Sequence, residues 1–249
     1  MLNRCLRWIG MCLVRWLSRP RHTHSAAPSV NKQALTECLQ VGDVLLVDGN
    51  NSFSISIKYL TQSTWSHAAL YVGPHPQLPT GHCFIEADLI EGVRSVGIEA
   101  FTQFNCRLCR PVGLTAADSE QLVQYAIARL GNQYDLRNII DLARYLLPTP
   151  PVPMLMRRRM LALGSGDPTR AICSTLIAQA FQSIRYPILP RLESRLDDSP
   201  DCPGCIKEIL HIRHYSLFVP RDFDLSPYFL VIKPVATQID YHSLSWQDS

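Results

Sequence analysis

A thiol, an imidazole and a carboxylate stand in this chain in the surroundings that acyl-transfer chemistry needs. Cys173 lies in Ala171-Ile172-Cys173-Ser174-Thr175, and Leu176, Ile177, Ala180, Phe181 and Ile184 follow at helical spacing. That spacing predicts a core-packed helix with sulfur in its first turn. A helix start favours an anion, and a neighbouring imidazole can take a thiol's proton. His67 opens the apolar run Ala68-Ala69-Leu70-Tyr71-Val72, which reads as a buried strand, and Glu86 sits inside Phe84-Ile85-Glu86-Ala87. If these two strands are antiparallel neighbours joined by residues 74–82, the carboxylate on one reaches the imidazole on the other. A charged Glu86 between Ile85 and Ala87 is costly to bury alone, so a histidine partner gives it a reason to be there. Taken one at a time, each residue also has a plainer role: a small core hydrophobe, a structural histidine, a solvent-facing glutamate.

The elements that must position them are legible as a change of texture. From Val41 onward the chain is β-like, with Val44 to Val47, Ala68 to Val72, Cys83 to Ala87 and Val93 to Ile98 as short apolar or alternating runs between Gly, Pro and Asn clusters. Ser54 to Leu60 fits a short helix. After Pro111 the pattern turns helical: Thr115 with Asp118 resembles a capping pair, Leu122, Ala126, Ile127 and Leu130 share a face, and Gly131 is a natural stop. A second helix is expected from about Asp135 to Leu147, ended by Pro148 and a proline connector. Residues 154–163 carry Arg157, Arg158 and Arg159 and fit a short helix or a flap. Strands return at Ser216 to Val219 and Tyr228 to Ile232. There is no internal repeat. Strands, then helices, then strands predict an α+β class in which a helix packs on an antiparallel sheet.

The 249 residues, 47% hydrophobic and 18% charged, suit one domain over residues 31–249, with an insertion at about 136–168 and an N-terminal segment over residues 1–30. A net charge of +3 and the lack of any basic run interleaved with aromatics argue against nucleic acid as a partner. Nine cysteines, odd in number and scattered, read as buried thiols of a reducing compartment. Cys106 and Cys109 could join Cys202 and Cys205 in a four-thiolate zinc site, and Cys202-Pro-Gly-Cys205 alone could be a redox pair. Ordinary loop thiols are the favoured reading, and no metal or other cofactor is expected. In residues 1–19, Leu2, Leu6, Ile9, Leu13 and Trp16 share a helical face with arginines elsewhere, a pattern suited equally to an anionic membrane surface and to a terminus docked on the domain. Arg15 interrupts this stretch, which is too short to span a bilayer and lacks a clean signal-cleavage site. The expected location is cytoplasmic or peripheral to an inner membrane, with export left open.

Four motifs in order carry a resemblance. Gly42-Asp43-Val44-Leu45-Leu46, Trp65-Ser66-His67 through Gly73, Phe84-Ile85-Glu86-Ala87 with Gly92-Val93, and Ile172-Cys173-Ser174 follow one another as in the circularly permuted papain-like amidases. The chain resembles the YiiX/YaeF-like branch of that NlpC-type superfamily over roughly residues 41–234. Gly131 to Asp135, Pro220-Arg221-Asp222 and Ser226-Pro227 are similar to further segments of the family. The resemblance implies an α+β, circularly permuted papain-like (NlpC-type) fold with histidine first and cysteine last. It implies Cys173 as nucleophile, His67 as base and then acid, and Glu86 as the orienting group. Asp43, Trp65 and Tyr134 are the candidate substrate-binding residues. The insertion before Cys173 departs from the family and could lid the cleft. The expected activity is cleavage of an amide, of peptide or N-acyl amino acid type, through a thioester. A small amide, peptide or lipid is the expected substrate. Two alternatives stand beside it: a thioester-forming lipid acyltransferase or phospholipase similar to the lecithin:retinol acyltransferase relatives, and a binding module that has lost turnover.

Overall fold

Alternation along the short strands of one six-stranded sheet decides the architecture. The computed structural model describes residues 32–88, 91–132, 172–197 and 205–233. Helix α1 (Lys32–Cys38) leads into β1 (Val44–Asp48), then α2 (Ser52–Thr61), β2 (His67–Tyr71), β3 (His82–Asp88), β4 (Gly92–Gly97), β5 (Asn105–Pro111) and α3 (Ala116–Ile127). Helix α4 (Ile172–Ser183) is followed by β6 (Arg191–Asp197), β7 (Cys205–His211), α5 (Pro220–Leu225) and β8 (Phe229–Ile232). The main sheet runs β4-β3-β2-β1-β5-β8 with every neighbour antiparallel, and β6 and β7 form a separate two-stranded ribbon. This is the expected α+β class.

Because side chains alternate along a strand, the sheet has two distinct faces. Leu46, Ala68, Leu70, Ile85 and Val93 point to one side and meet Leu122 and Ala126 of α3 and Leu176, Ile177 and Phe181 of α4. Leu45, Val47, Ala69, Phe84 and Leu108 point to the other, under Leu35, Ile98 and Phe101. With both faces covered, β1 is buried from Val44 through Val47. His67 and Glu86 share parity with Ala69 and Phe84, so both lie on the second face.

Helix α3 begins as its residues predict. Thr115 accepts from the Asp118 N–H at 3.1 Å and Asp118 accepts from the Thr115 N–H at 3.1 Å, a reciprocal capping box. Gly131 ends the segment at φ +79°, a left-handed conformation that suits glycine. There the chain is clipped to β4 by bonds from Gly131 N–H to the Val93 carbonyl and from Val93 N–H to the Asn132 carbonyl. Helix α2 is capped by Asn51, whose side chain accepts from Ser54 N–H at 2.7 Å.

The strand expected at Ser216 to Val219 is instead a 3-10 turn, Tyr215–Leu217, running into α5. Pro220 is set for a first helical turn and Asp222 accepts from the Val219 N–H at 3.1 Å, so local capping outweighs the apolar run Leu217-Phe218-Val219. Helix α1, β5 and the β6–β7 ribbon have no counterpart among the elements expected from sequence. The helix expected over 135–147, the proline connector, the arginine-bearing 154–163 and the amphipathic residues 1–19 lie outside the described residues. Among the described residues no helix is long and apolar enough to cross a membrane.

Candidate active site

The register of β1, β2 and β3 brings His67 and Glu86 together. His67, the first residue of β2, stands opposite Val47, and Glu86 stands opposite Ala69, so the two are diagonal neighbours on one face. His67 Nε2 and Glu86 Oε2 are 2.7 Å apart. The Glu86 side chain is only 5% exposed, which without partners would be costly for a charge. Its other oxygen, Oε1, accepts from Arg94 Nε at 2.9 Å, and Arg94 Nη2 lies 2.8 Å from the same atom. Burial pushes this carboxyl up, but the hydrogen bonds and charges of His67 and Arg94 more than offset it and hold Glu86 down at about 2.

Cys173 comes from the opposite layer. It is the second residue of α4 and is buried, while Leu176 and Ile177 of the same helix sit in the core against β2 and β3. The Ser174 hydroxyl donates to the Phe218 carbonyl at 2.8 Å and pins this first turn. The helix start meets the sheet at the beginning of β2, so Cys173 and His67 line one cleft. Burial lowers the His67 pKa, yet the charge of Cys173 and its hydrogen bond to the ring, with those of Glu86, raise it well above 6.5. With Nε2 committed to Glu86, Nδ1 is the ring atom left for the thiol. A cysteine and a histidine lining one cleft are the pairing in which an imidazole can take the proton of an attacking thiol.

The cleft has a volume of about 240 Å³. Val47, Ile57, Phe101 and Phe104 line one side, and Asn50, Asn51, Ser54 and Ser66 supply polar groups. Gly49 lets the wall close: a Cβ there would lie 2.3 Å from Ser54 Oγ and 2.9 Å from Ser66 Oγ. Its own N–H donates to Ser66 Oγ at 3.0 Å.

Two of the expected substrate-binding residues sit elsewhere. Asp43 precedes β1 at the end remote from Val47, about 13 Å along the strand, and does not line the cleft. Its carboxylate is 1% exposed and takes both prongs of Arg110, Nε at 2.9 Å and Nη2 at 2.8 Å, along with the Gln40 N–H at 2.8 Å. Arg110 also donates to the Cys38 carbonyl, so Asp43 ties α1 to the sheet. Trp65 is buried in the core beside the cleft without lining it. Its indole N–H donates to Asp224 at 3.1 Å and its ring carries the Arg107 guanidinium at 5.0 Å, which fixes the approach to β2. Tyr134 lies outside the described residues. Cys106 and Cys109, three apart on β5, face opposite sides of the sheet and cannot share a metal; burial pushes each thiol up to about 12. Cys202 is outside the described residues. Among those described, no group of three His, Cys, Asp or Glu side chains is placed to hold a metal ion.

Arg94 is the residue that motif reading missed. The signal was present: Gly92-Val93-Arg94 reads as strand, and with Val93 turned to the helical layer Arg94 must share the face of Glu86. It stands directly opposite Glu86 across β3 and β4.

A buried thiol at a helix start, an imidazole at a strand start and a carboxylate on the neighbouring strand make up a candidate cysteine-hydrolase site on an α+β scaffold, histidine ahead of cysteine in the chain. Residues 38–145 match the family of permuted papain-like amidase enzymes of the YaeF/YiiX type, the C92 family. That span holds His67, Glu86 and Arg94, and over it the chain is similar to the permuted papain-like amidases that its motifs resemble. The family is one of enzymes that hydrolyse amides in the manner of cysteine peptidases. Among solved structures, the metalloprotein yiiX of Escherichia coli O157:H7 is similar at 15% identity with a TM-score of 0.46, covering 78% of this chain and 96% of that one. No curated protein matches the chain.

Proposed function

We propose that this protein cleaves a small amide, of peptide or N-acyl amino acid type, through a thioester on Cys173. The observation that carries the proposal is His67 held at 2.7 Å by a buried Glu86 while facing Cys173 across one cleft. The thiolate attacks the carbonyl carbon and the carbonyl oxygen takes the charge. The backbone N–H of Cys173 lies in the first turn of α4, where the helix itself provides no accepting carbonyl, and is the donor assigned to that oxygen. The C–N bond then breaks as the His67 imidazolium passes its Nδ1 proton to the leaving amine. Neutral His67 next removes a proton from water, hydroxide attacks the thioester, and the acid departs as the thiolate–imidazolium pair returns. The raised His67 pKa suits the first half, since a protonated ring must be on hand when the amine leaves.

The test is substitution of each reacting group. Cys173→Ala and His67→Ala are each expected to abolish amide turnover while circular dichroism and thermal unfolding remain those of a folded protein. An active Cys173→Ala variant ends the proposal. The apolar wall of Ile57, Phe101 and Phe104 favours a second reading, in which the acyl group is a lipid chain passed to an acceptor other than water. Mass spectrometry separates the two. Incubation with phospholipid leaves an acyl adduct on Cys173 if the second reading holds, and none while vesicles are bound counts against it.

A further inference from the structure

The carboxylate that steadies His67 is itself held on its far side. Arg94 presents Nε and Nη2 to Glu86 Oε1 at 2.9 and 2.8 Å, leaving Oε2 to His67 at 2.7 Å. Its remaining nitrogen, Nη1, lies 2.9 Å from Glu91 Oε1, and Nη2 lies 3.6 Å from Asp88 Oδ2. The charged and titratable groups around Glu86 are therefore His67 on β2, with Cys173 of α4 beyond its ring, Arg94 on β4, and Asp88 and Glu91 around the guanidinium.

The geometry points to Arg94 as a positioning residue for the cysteine chemistry, a fork that pins one Glu86 oxygen so that the other aims the His67 ring at Cys173. This rests on Cys173, His67 and Glu86 acting as nucleophile, base and orienting group. The last torsion of a glutamate is soft and broad. Two donors from a rigid planar group fix the carboxylate where the point charge of a lysine does not. Arg94 has a second effect through charge. It stands among three carboxylates, Glu86, Asp88 and Glu91. Without it, like charges on one rim make each harder to ionise, and the imidazolium loses its anionic partner sooner as pH falls. Three carboxylates already engage the guanidinium, which argues for support of Glu86 over capture of an anionic substrate.

The experiment needs no substrate. Iodoacetamide alkylates a thiolate with loss of iodide, and mass spectrometry of the Cys173 peptide gives the rate from about pH 4 to pH 9. Arg94→Met is expected to slow alkylation near pH 6 about 10- to 100-fold and to move the acid limb of the profile up by about one unit. Arg94→Lys, which restores charge without the fork, is expected to return the limb to its wild-type place while staying several-fold slow. Thermal unfolding shows which variants are folded. If Arg94→Met is not, Arg94→Lys carries the test, and a lysine variant as fast as wild type overturns the fork. An Arg94→Met protein with the wild-type rate and limb overturns the proposal outright. A wild-type Cys173 no faster than Cys38 and Cys83, partly exposed free thiols among the described residues, overturns the underlying thiol-hydrolase reading, a different failure.

Discussion

Glu86→Gln probes the site with almost no change of shape, and its effect can be worked from the hydrogen bonds. The carboxylate offers two accepting oxygens, one to Arg94 and one to His67. An amide offers one. Arg94 brings two N–H groups to Oε1, so the amide oxygen turns to Arg94 and the amide NH2 faces His67 Nε2. That nitrogen must then accept, which moves the ring's proton to Nδ1, against Cys173. A ring protonated there as a neutral tautomer cannot take the thiol's proton. In serine hydrolases the same amide-for-acid swap costs about 10,000-fold in turnover, and a loss of about 1,000- to 10,000-fold is expected here. Stability changes too, with a definite sign. The folded-state value of Glu86 is lowered from 4.5 to about 2, so its contribution is complete above pH 4.5 and is lost as pH falls from there to about 2. One pKa unit is about 1.4 kcal/mol, which makes the contribution about 3 kcal/mol. Urea unfolding at pH 7 should show the glutamine variant less stable by roughly that amount, and the gap should close by about pH 2. A glutamine variant with wild-type turnover, or a stability gap that stays constant from neutral to acid pH, refutes the reasoning.

Two further outcomes follow from the packing. Asp43→Ala leaves the half-buried Arg110 without its carboxylate and the Gln40 N–H without its acceptor, so stability should fall by about 1–3 kcal/mol in urea unfolding while the Cys173 alkylation profile is unchanged; altered alkylation in a folded variant would return Asp43 to the cleft. Gly49→Ala sets a methyl against Ser54 and Ser66 at 2.3 and 2.9 Å. It should cost about 1–3 kcal/mol by chemical denaturation and slow Cys173 alkylation by shifting the cleft wall, and a neutral substitution would mean that the wall gives way freely.

Elements whose local chemistry agrees with their setting are legible in the residues alone. Helix α3 has its cap, its apolar face and its glycine stop within one short stretch, and α4 has an unbroken apolar side. Strand β5 is not legible in that way. Both of its faces are covered, and Cys106, Leu108 and Cys109 interleave with Arg107 and Arg110, each neutralised by a distant aspartate. That pairing removes the polar-out alternation by which a half-exposed strand is recognised. The β6–β7 ribbon is hidden for a related reason: Glu193, Ser194 and Arg195 run consecutively between Leu192 and Leu196, so β6 shows no period-two alternation, and Leu192 and Leu210 are exposed.

The candidate site divides along the same line. Residue type and local setting were enough to single out Cys173 at a helix start, His67 at a strand start and Glu86 as a charge among apolar neighbours, because each is a conflict or a resource visible within a few residues. Asp43 and Trp65 stand in the same motifs, yet their partners, Arg110 and Asp224, lie far along the chain, and those long-range bonds take them away from the cleft. Arg94 was silent for the converse reason. A lone arginine on a strand is ordinary until the register of β3 and β4 sets it across from Glu86. Local sequence therefore determined which groups can react. Only the tertiary structure decided which of them share a cleft and which carboxylate is held, since register and layer packing are set by contacts that no short segment contains.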